Sequence, residues 1–272
     1  VFHQGIGVLL GNAADCLVAH NHIHDTCYTG ISLGWTWGYR DTLATHNRIE
    51  HNLIHDIGAG LLSDMGGIYT LGVQPGTVIR GNHLHHIWSH DYGGWGVYLD
   101  EGTAHVLIEH NLVHDTKDAP FNIHYGRENV VRYNIFARGK RAMVSVGRIE
   151  PEHYSANFFG NILVGPSESL YRSGYQGNIA VGALVANGNC LWSPGGRLPP
   201  SLNPETYLKG EPRALSWTAW RKAGHDLTSV VADPRITEGR KTWKVAAHSP
   251  ALKLGFKPWD WSGCGPRPRA RR

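Results

Sequence analysis

One phrase recurs along the chain: His20-Asn21-His22-Ile23-His24-Asp25, His51-Asn52-Leu53-Ile54-His55-Asp56, Gly81-Asn82-His83-Leu84-His85-His86 and His110-Asn111-Leu112-Val113-His114-Asp115. Shorter echoes follow at Tyr133-Asn134-Ile135-Phe136, Gly160-Asn161-Ile162-Leu163 and Gly188-Asn189-Cys190-Leu191. The asparagines at 21, 52, 82, 111, 134, 161 and 189 are separated by 31, 30, 29, 23, 27 and 28 residues. A period of this length belongs to a solenoid, in which each repeat buries its apolar side against its neighbours.

The segments around each asparagine are short, apolar and rich in Val, Ile, Leu and Tyr, as in Thr77-Val78-Ile79-Arg80, Val106-Leu107-Ile108-Glu109 and Val130-Val131-Arg132-Tyr133. Gly, Asn and Asp punctuate them, which is the pattern of strands and turns. No stretch before residue 190 carries a sustained i, i+3, i+4, i+7 apolar stripe. Two or three strands per repeat without a helix describe one coil of a parallel β-helix, so the expected fold is an all-β, right-handed parallel β-helix. Coils stacked roughly 4.8 Å apart place equivalent side chains in ladders. An inward asparagine both donates and accepts, so the seven asparagines are expected to bond one another along the axis. The His-x-His spacings invite a metal reading, since imidazole suits zinc, copper or nickel. Their recurrence with the coil period favours a stacked scaffold, and Cys16, Cys27, Cys190 and Cys264 form no C-x₂₋₄-C pair.

At 272 residues the chain is long enough for one continuous core, and its 34 glycines and 14 prolines suit a turn-rich β fold. Part of the formal charge of +4 comes from Arg267-Pro268-Arg269-Ala270-Arg271-Arg272, a tail expected to be disordered. The remainder is near neutral, so nucleic acid is not an expected partner. No run of 18 apolar residues suggests a membrane span. Coils are expected over residues 1–193, and a C-terminal cap packed on the last coils over 194–272. Within the cap, Ala214 to Gly224 is the best short helix, stopped by its glycine. The N-terminus has no signal-peptide pattern, and Gly5-Ile6-Gly7-Val8-Leu9-Leu10 already looks like a strand. Upstream coils or self-association would then cover the open end.

Departures from the repeat mark where function is expected. Three inserts stand out: Ser63-Asp64-Met65-Gly66-Gly67-Ile68-Tyr69, Tyr92-Gly93-Gly94-Trp95-Gly96-Val97-Tyr98-Leu99-Asp100-Glu101-Gly102 and Phe121-Asn122-Ile123-His124-Tyr125-Gly126-Arg127. Aligning Ile68-Tyr69 with Val97-Tyr98, and Leu99-Asp100 with Ile123-His124, makes Asp100 and His124 neighbours on adjacent coils. Asp64 aligns with Gly93 and reaches the same face from the other end of its strand, so it meets Asp100 only by folding back over that face; otherwise the pair is Asp100 with Glu101 or with another residue. Paired carboxyls among Trp35, Trp37, Tyr69, Trp95 and Tyr98 are what glycoside cleavage requires, the aromatic faces serving as platforms for sugar rings. Gly66, Gly67, Gly93 and Gly94 would let a substrate approach the backbone.

These motifs, with Thr70 to Thr77, His124 to Asn129, Gly30 to Gly38 and Ser249-Pro250-Ala251-Leu252-Lys253-Leu254-Gly255-Phe256, resemble right-handed parallel β-helix proteins related to glycoside hydrolase family 141. The resemblance implies hydrolysis of plant-type glycans, of α-L-fucosidase or xylanase type, by two aspartates that correspond here to Asp64 and Asp100. Glu101, His124 and Arg127 would support them, and Trp35, Trp37, Tyr69, Trp95, Tyr98 and Tyr125 would hold an oligo- or polysaccharide. Met65 stands where a glycine is expected and would narrow the pocket beside Asp64. Members of this group carry further coils upstream. No cofactor is implied, and the setting would be extracellular or periplasmic. Two other readings compete. A polysaccharide lyase or uronate epimerase would need calcium or a basic residue, for which the face offers Arg127, Arg132 and Arg148, to neutralise the substrate carboxylate; a non-catalytic glycan-binding β-helix would bind without turnover.

Overall fold

The computed structural model describes residues 3–148, 150, 152–173, 184–196, 198, 203–204, 216–222 and 224–267. Each coil passes through three long parallel sheets in turn. The first runs through Val8–Leu10, Ile31–Leu33, Gly66–Thr70, Trp95–Leu99, Phe121–Ile123, Ala142–Val146, Ser169–Ser173 and Asn203–Pro204. The second opens at Leu17–Ala19 and the third at His22–His24. The expected register holds: Val97 pairs with Ile68, Tyr98 with Tyr69 and Leu99 with Ile123.

The recurring phrase is written by backbone geometry. Where the chain turns from the second sheet into the third, His20, His51, His110 and Tyr133 have positive φ, and Gly81, Gly160 and Gly188 fill the equivalent places. At the far end of the third-sheet strands, Asp25, Asp56, His86, Asp115 and Arg138 are left-handed too. Gly, Asp and His are, with Asn, the residues that tolerate this region best, which accounts for the framing of the phrase.

Between the two turns sits the asparagine ladder. Each Nδ2 donates to Oδ1 of the next asparagine at 2.9–3.2 Å, from Asn21 through Asn52, Asn82, Asn111, Asn134 and Asn161 to Asn189. The same Oδ1 atoms accept the neighbouring backbone N–H at 2.9–3.0 Å. A buried turn thereby satisfies groups that would otherwise be desolvated at a cost of about 1–3 kcal/mol each. The last rung closes on the C-terminal segment, where the Asn189 N–H donates to Ser229 Oγ. Inside the coils, matching apolar residues stack in register, as in Ile49, Ile79, Ile108, Val131 and Phe158.

The histidines also stack. His24, His55, His85 and His114 form one column with ring centroids 4.8–5.5 Å apart, continued by Trp243 at 4.7 Å. In a second column, Trp259 lies between His51 and His110, in the space left open by Gly81. A Cβ at Gly81 would stand 2.9 Å from Trp259 Nε1. Among the described residues no group of three or more His, Cys, Asp and Glu could hold a metal ion. The four cysteines are free thiols.

Those tryptophans come from the C-terminal segment, which does more than cap the last coils. Val230–Val231 pairs with Cys190–Trp192 and ends the third sheet. Beyond it the chain returns along the outside of that sheet, burying Trp243, Ala251, Phe256 and Trp261 against Leu112, Ile135, Ile162 and Cys190. Trp261 Nε1 donates to His110 O at 2.6 Å, and Cys264 Sγ to Gly81 O at 2.9 Å. Arg267, expected to be disordered with the tail, donates to His20 Nε2 at 2.9 Å because the strap ends against the first coils; residues 268–272 lie outside the described ones. The short helix is Trp217–Lys222, within the expected stretch, of which 214, 215 and 223 are not described. A second, Pro250–Lys253, is capped by the Ser249 side chain.

Burial makes the histidine columns pH-sensitive. Burial and the neighbouring His114 push the His83 imidazole down to about 2, and the same causes push His85 down to about 3. Both lie below the unfolded value near 6.5, so the unfolded chain takes up these protons first. Their contribution to stability is complete above pH ~6.5 and is lost progressively as the pH falls below it. Thermal melts are expected to show Tm falling steadily below about pH 6; a flat profile down to pH ~4 would contradict it.

Candidate active site

Outward-facing residues of the first sheet form a column with one member per coil: Ser32, Tyr69, Tyr98, Asn122, Ser145 and Arg172. A cavity of about 880 Å³ covers it from Tyr69 to Arg172. Asp64, Asp100, Glu101, His124, Trp37, Tyr69, Trp95 and Tyr98 all line this cavity, so most of the expected site residues converge there.

Asp64 occupies the bend before Gly66–Thr70, with φ 56°. Two bonds fix that bend: its N–H donates to Tyr92 O at 3.0 Å, and its carbonyl accepts from the Tyr28 hydroxyl at 2.9 Å. Asp100 follows Trp95–Leu99 at the opposite end of the face, its N–H donating to Thr70 O at 2.9 Å. Two tyrosines close the distance between the acids. Tyr98 donates to Asp64 Oδ1 at 3.1 Å, and its hydroxyl also supports the Asp100 carboxylate. Tyr69 donates to Asp100 Oδ2 at 2.5 Å. The two tyrosine rings meet edge-on, 5.1 Å apart between centroids, so the acids are linked through an aromatic pair.

The environments of the two carboxyls differ. Burial raises the pKa of Asp64, and the negative charge of Asp100 raises it further. Burial works in the same direction on Asp100, but hydrogen bonds from His124, Tyr69 and Tyr98 outweigh it and hold Asp100 below the ordinary carboxylate value. His124 Nδ1 stands 2.9 Å from Asp100 Oδ1, as the register required. Gly147 packs against this imidazole; a Cβ there would come within 2.6 Å of His124 Cδ2. Glu101 accepts from the Tyr125 hydroxyl at 3.0 Å and lies 3.9 Å from His124 Nδ1.

Other expected residues stand apart from the cavity lining. Arg127 lies over the Tyr39 ring at 4.7 Å, and Arg148 over the Tyr125 ring at 3.7 Å. Arg132 is on a strand of the second sheet, a different side of the coil from the cavity, and is bridged to Glu109 at 2.8 Å. Trp35 is exposed and meets Trp37 edge-on, while Tyr125 supports Glu101 from behind. Met65 is fully buried in the core, so it does not narrow the pocket. Of the glycines, Gly67 avoids Leu84 and Gly93 avoids the Asp64 backbone, which makes them packing requirements between coils. Sequence reasoning left out Tyr28, Asp118, Arg141 and Arg172, which also line the cavity. Asp118 lies just ahead of the third insert, and Arg141 and Arg172 belong to later coils, where the inserts that marked the site have ended.

Among solved structures, one described as a glycoside hydrolase is 29% identical over 47% of this chain and 20% of its own, with a TM-score of 0.37. Two structures of DFA-IIIase from Arthrobacter chlorophenolicus A6, in complex with GF2 and with DFA-III, are 14% and 15% identical. They cover 78% and 85% of this chain and 47% and 48% of their own, with TM-scores of 0.47 and 0.46. The chain therefore spans less than half the length of each. No curated protein matches it. The model of the right-handed β-helix region matches residues 7–189, which takes in the whole asparagine ladder, and the chain belongs to that family.

Proposed function

We propose that the protein is a glycoside hydrolase acting on an oligo- or polysaccharide, with Asp64 as the general acid and Asp100 as base or nucleophile. One observation carries this reading: two carboxyls share a cavity and a tyrosine, and their surroundings move their pKa values in opposite directions. That separation is how one carboxyl stays protonated to serve the leaving group while the other stays ionised. Trp37, Trp95 and Tyr92 supply apolar faces at the cavity for sugar rings. Plant-type glycans are the intended substrates, xylan and α-L-fucosyl linkages first, and a polymer substrate places the enzyme in an extracellular or periplasmic setting.

The test is a screen of chromogenic glycosides and plant polysaccharides with wild type and Asp64→Asn. The variant is expected to lose polysaccharide cleavage while retaining activity on aryl glycosides, whose leaving groups need no proton. An unsaturated, ultraviolet-absorbing product would overturn the reading in favour of a lyase.

The pH dependence follows from the same pair. Activity requires Asp100 ionised and Asp64 protonated. The lowered value of Asp100 moves the acid limb below the usual carboxylate range near pH 4, and the raised value of Asp64 moves the alkaline limb above it. A bell-shaped kcat/KM profile with an acidic optimum is expected, and a plateau extending through pH ~8 would exclude Asp64 as the acid.

A further inference from the structure

We propose that the part of the cavity beside Asp118 is a subsite for the carboxylate of an acidic sugar unit, bound by Arg141 and Arg172. The proposal rests on the hydrolase reading of this cavity and names its substrate class.

Three features of that part carry it. First, Arg172 Nη1 stands 2.8 Å and Arg141 Nη1 3.7 Å from the same oxygen, Asp118 Oδ2. The Asp118 side chain is 1% exposed, and one guanidinium suffices to neutralise it. The second brings a surplus positive charge, and the Arg141 side chain is 33% exposed at the cavity wall. Second, cations outnumber acids around Asp118 among the described residues. Lys117, whose amine is directed to the carbonyls of Ser89, His90 and Asp91, lies near Arg141, Lys140, Asp91 and Asp118. Asp64, Asp100 and Glu101, by contrast, make the part of the cavity around the aspartates acidic.

Third, the spacing suits a substrate of several units. Arg172 is three coil steps from Tyr98 at the backbone, but its guanidinium reaches back to Asp118, whose coil is next to that of Tyr98, so the charged heads lie one to two coil steps, roughly 5–10 Å, along the axis from the tyrosine. Asn122 and Ser145 follow Tyr98 in the column, with Ser145 Oγ donating to Asn122 Oδ1 at 2.6 Å, so the floor there is polar and carries no formal charge. An oligosaccharide with its scissile bond at the aspartates would place a neighbouring unit beside the arginines. Guanidinium groups match a carboxylate in plane and fork, and the partly buried wall weakens competition from water.

The full chain is tested by calorimetric binding of a short oligogalacturonate and of the same oligomer as its methyl ester, a neutral analogue of nearly equal shape. The acid is expected to bind about tenfold more tightly, the gain of one hydrogen bond to a charged group. Arg141→Gln is expected to remove that preference while a thermal melt shows the fold intact, because Asp118 keeps Arg172. The comparison in the unsubstituted protein needs no variant. Failure of the acid to bind better than the ester, or an undiminished preference in Arg141→Gln, would overturn the subsite. Hydrolysis is read separately from product release. A preference for the acid without any cleavage supports the subsite and counts against the hydrolase reading alone.

Discussion

Replacing Asp100 with Asn is expected to lower turnover by about three orders of magnitude on any glycan the protein cleaves, with little change in Tm. The amide keeps the shape of the carboxyl and can still accept from Tyr69, so the face should stay folded. What it loses is the ionised oxygen that His124, Tyr69 and Tyr98 hold ready. Glu101→Gln is the internal control. Its carboxyl bonds Tyr125 on the side away from Asp64, so a much smaller loss is expected. Steady-state rates of both variants beside their thermal melts decide the matter. An active Asp100→Asn, or equal losses in the two, would remove Asp100 from its assigned role.

The largest effect on stability is expected in the middle of the ladder. Asn111 accepts from the backbone and side chain of Asn82 and donates to Asn134 Oδ1, Ile79 O and Glu109 O. Asn111→Leu, close in size, leaves several of these buried groups unpaired at about 1–3 kcal/mol each, for a total loss of about 4 kcal/mol or more. Asn21→Leu, at the partly exposed first rung, removes fewer bonds and lets water replace them. Denaturant titration of the two variants should therefore rank them far apart. Equal, small losses would mean that the ladder follows the coil instead of holding it.

The fold was legible because its rule is local. Each turn needs a left-handed residue followed by an asparagine, and that need is met at nearly the same spacing in every coil, from His20-Asn21 to Gly188-Asn189. The period then fixes the register, and with it the meeting of Asp100 and His124 on neighbouring strands. The strap was less legible. Its contacts join Trp259 to His51 and Trp261 to His110 across long stretches of chain, and no repeat announces them. Gly81 was the available sign: a missing side chain in a column of rings, filled by a tryptophan from elsewhere.

By itself, then, the sequence determined the coil, its stacking and the strands on which the site stands, since these depend on backbone turns and a repeated side-chain bond. Only the tertiary structure decided how Asp64 reaches Asp100, because that depends on the length and direction of Tyr69 and Tyr98 across the face. It likewise turned Met65 into the core, set Arg127 apart from the cavity lining and brought Arg141 and Arg172 from later coils onto one buried carboxylate. A period specifies which residues share a column; side-chain reach and the shape of the cavity decide which of them act together.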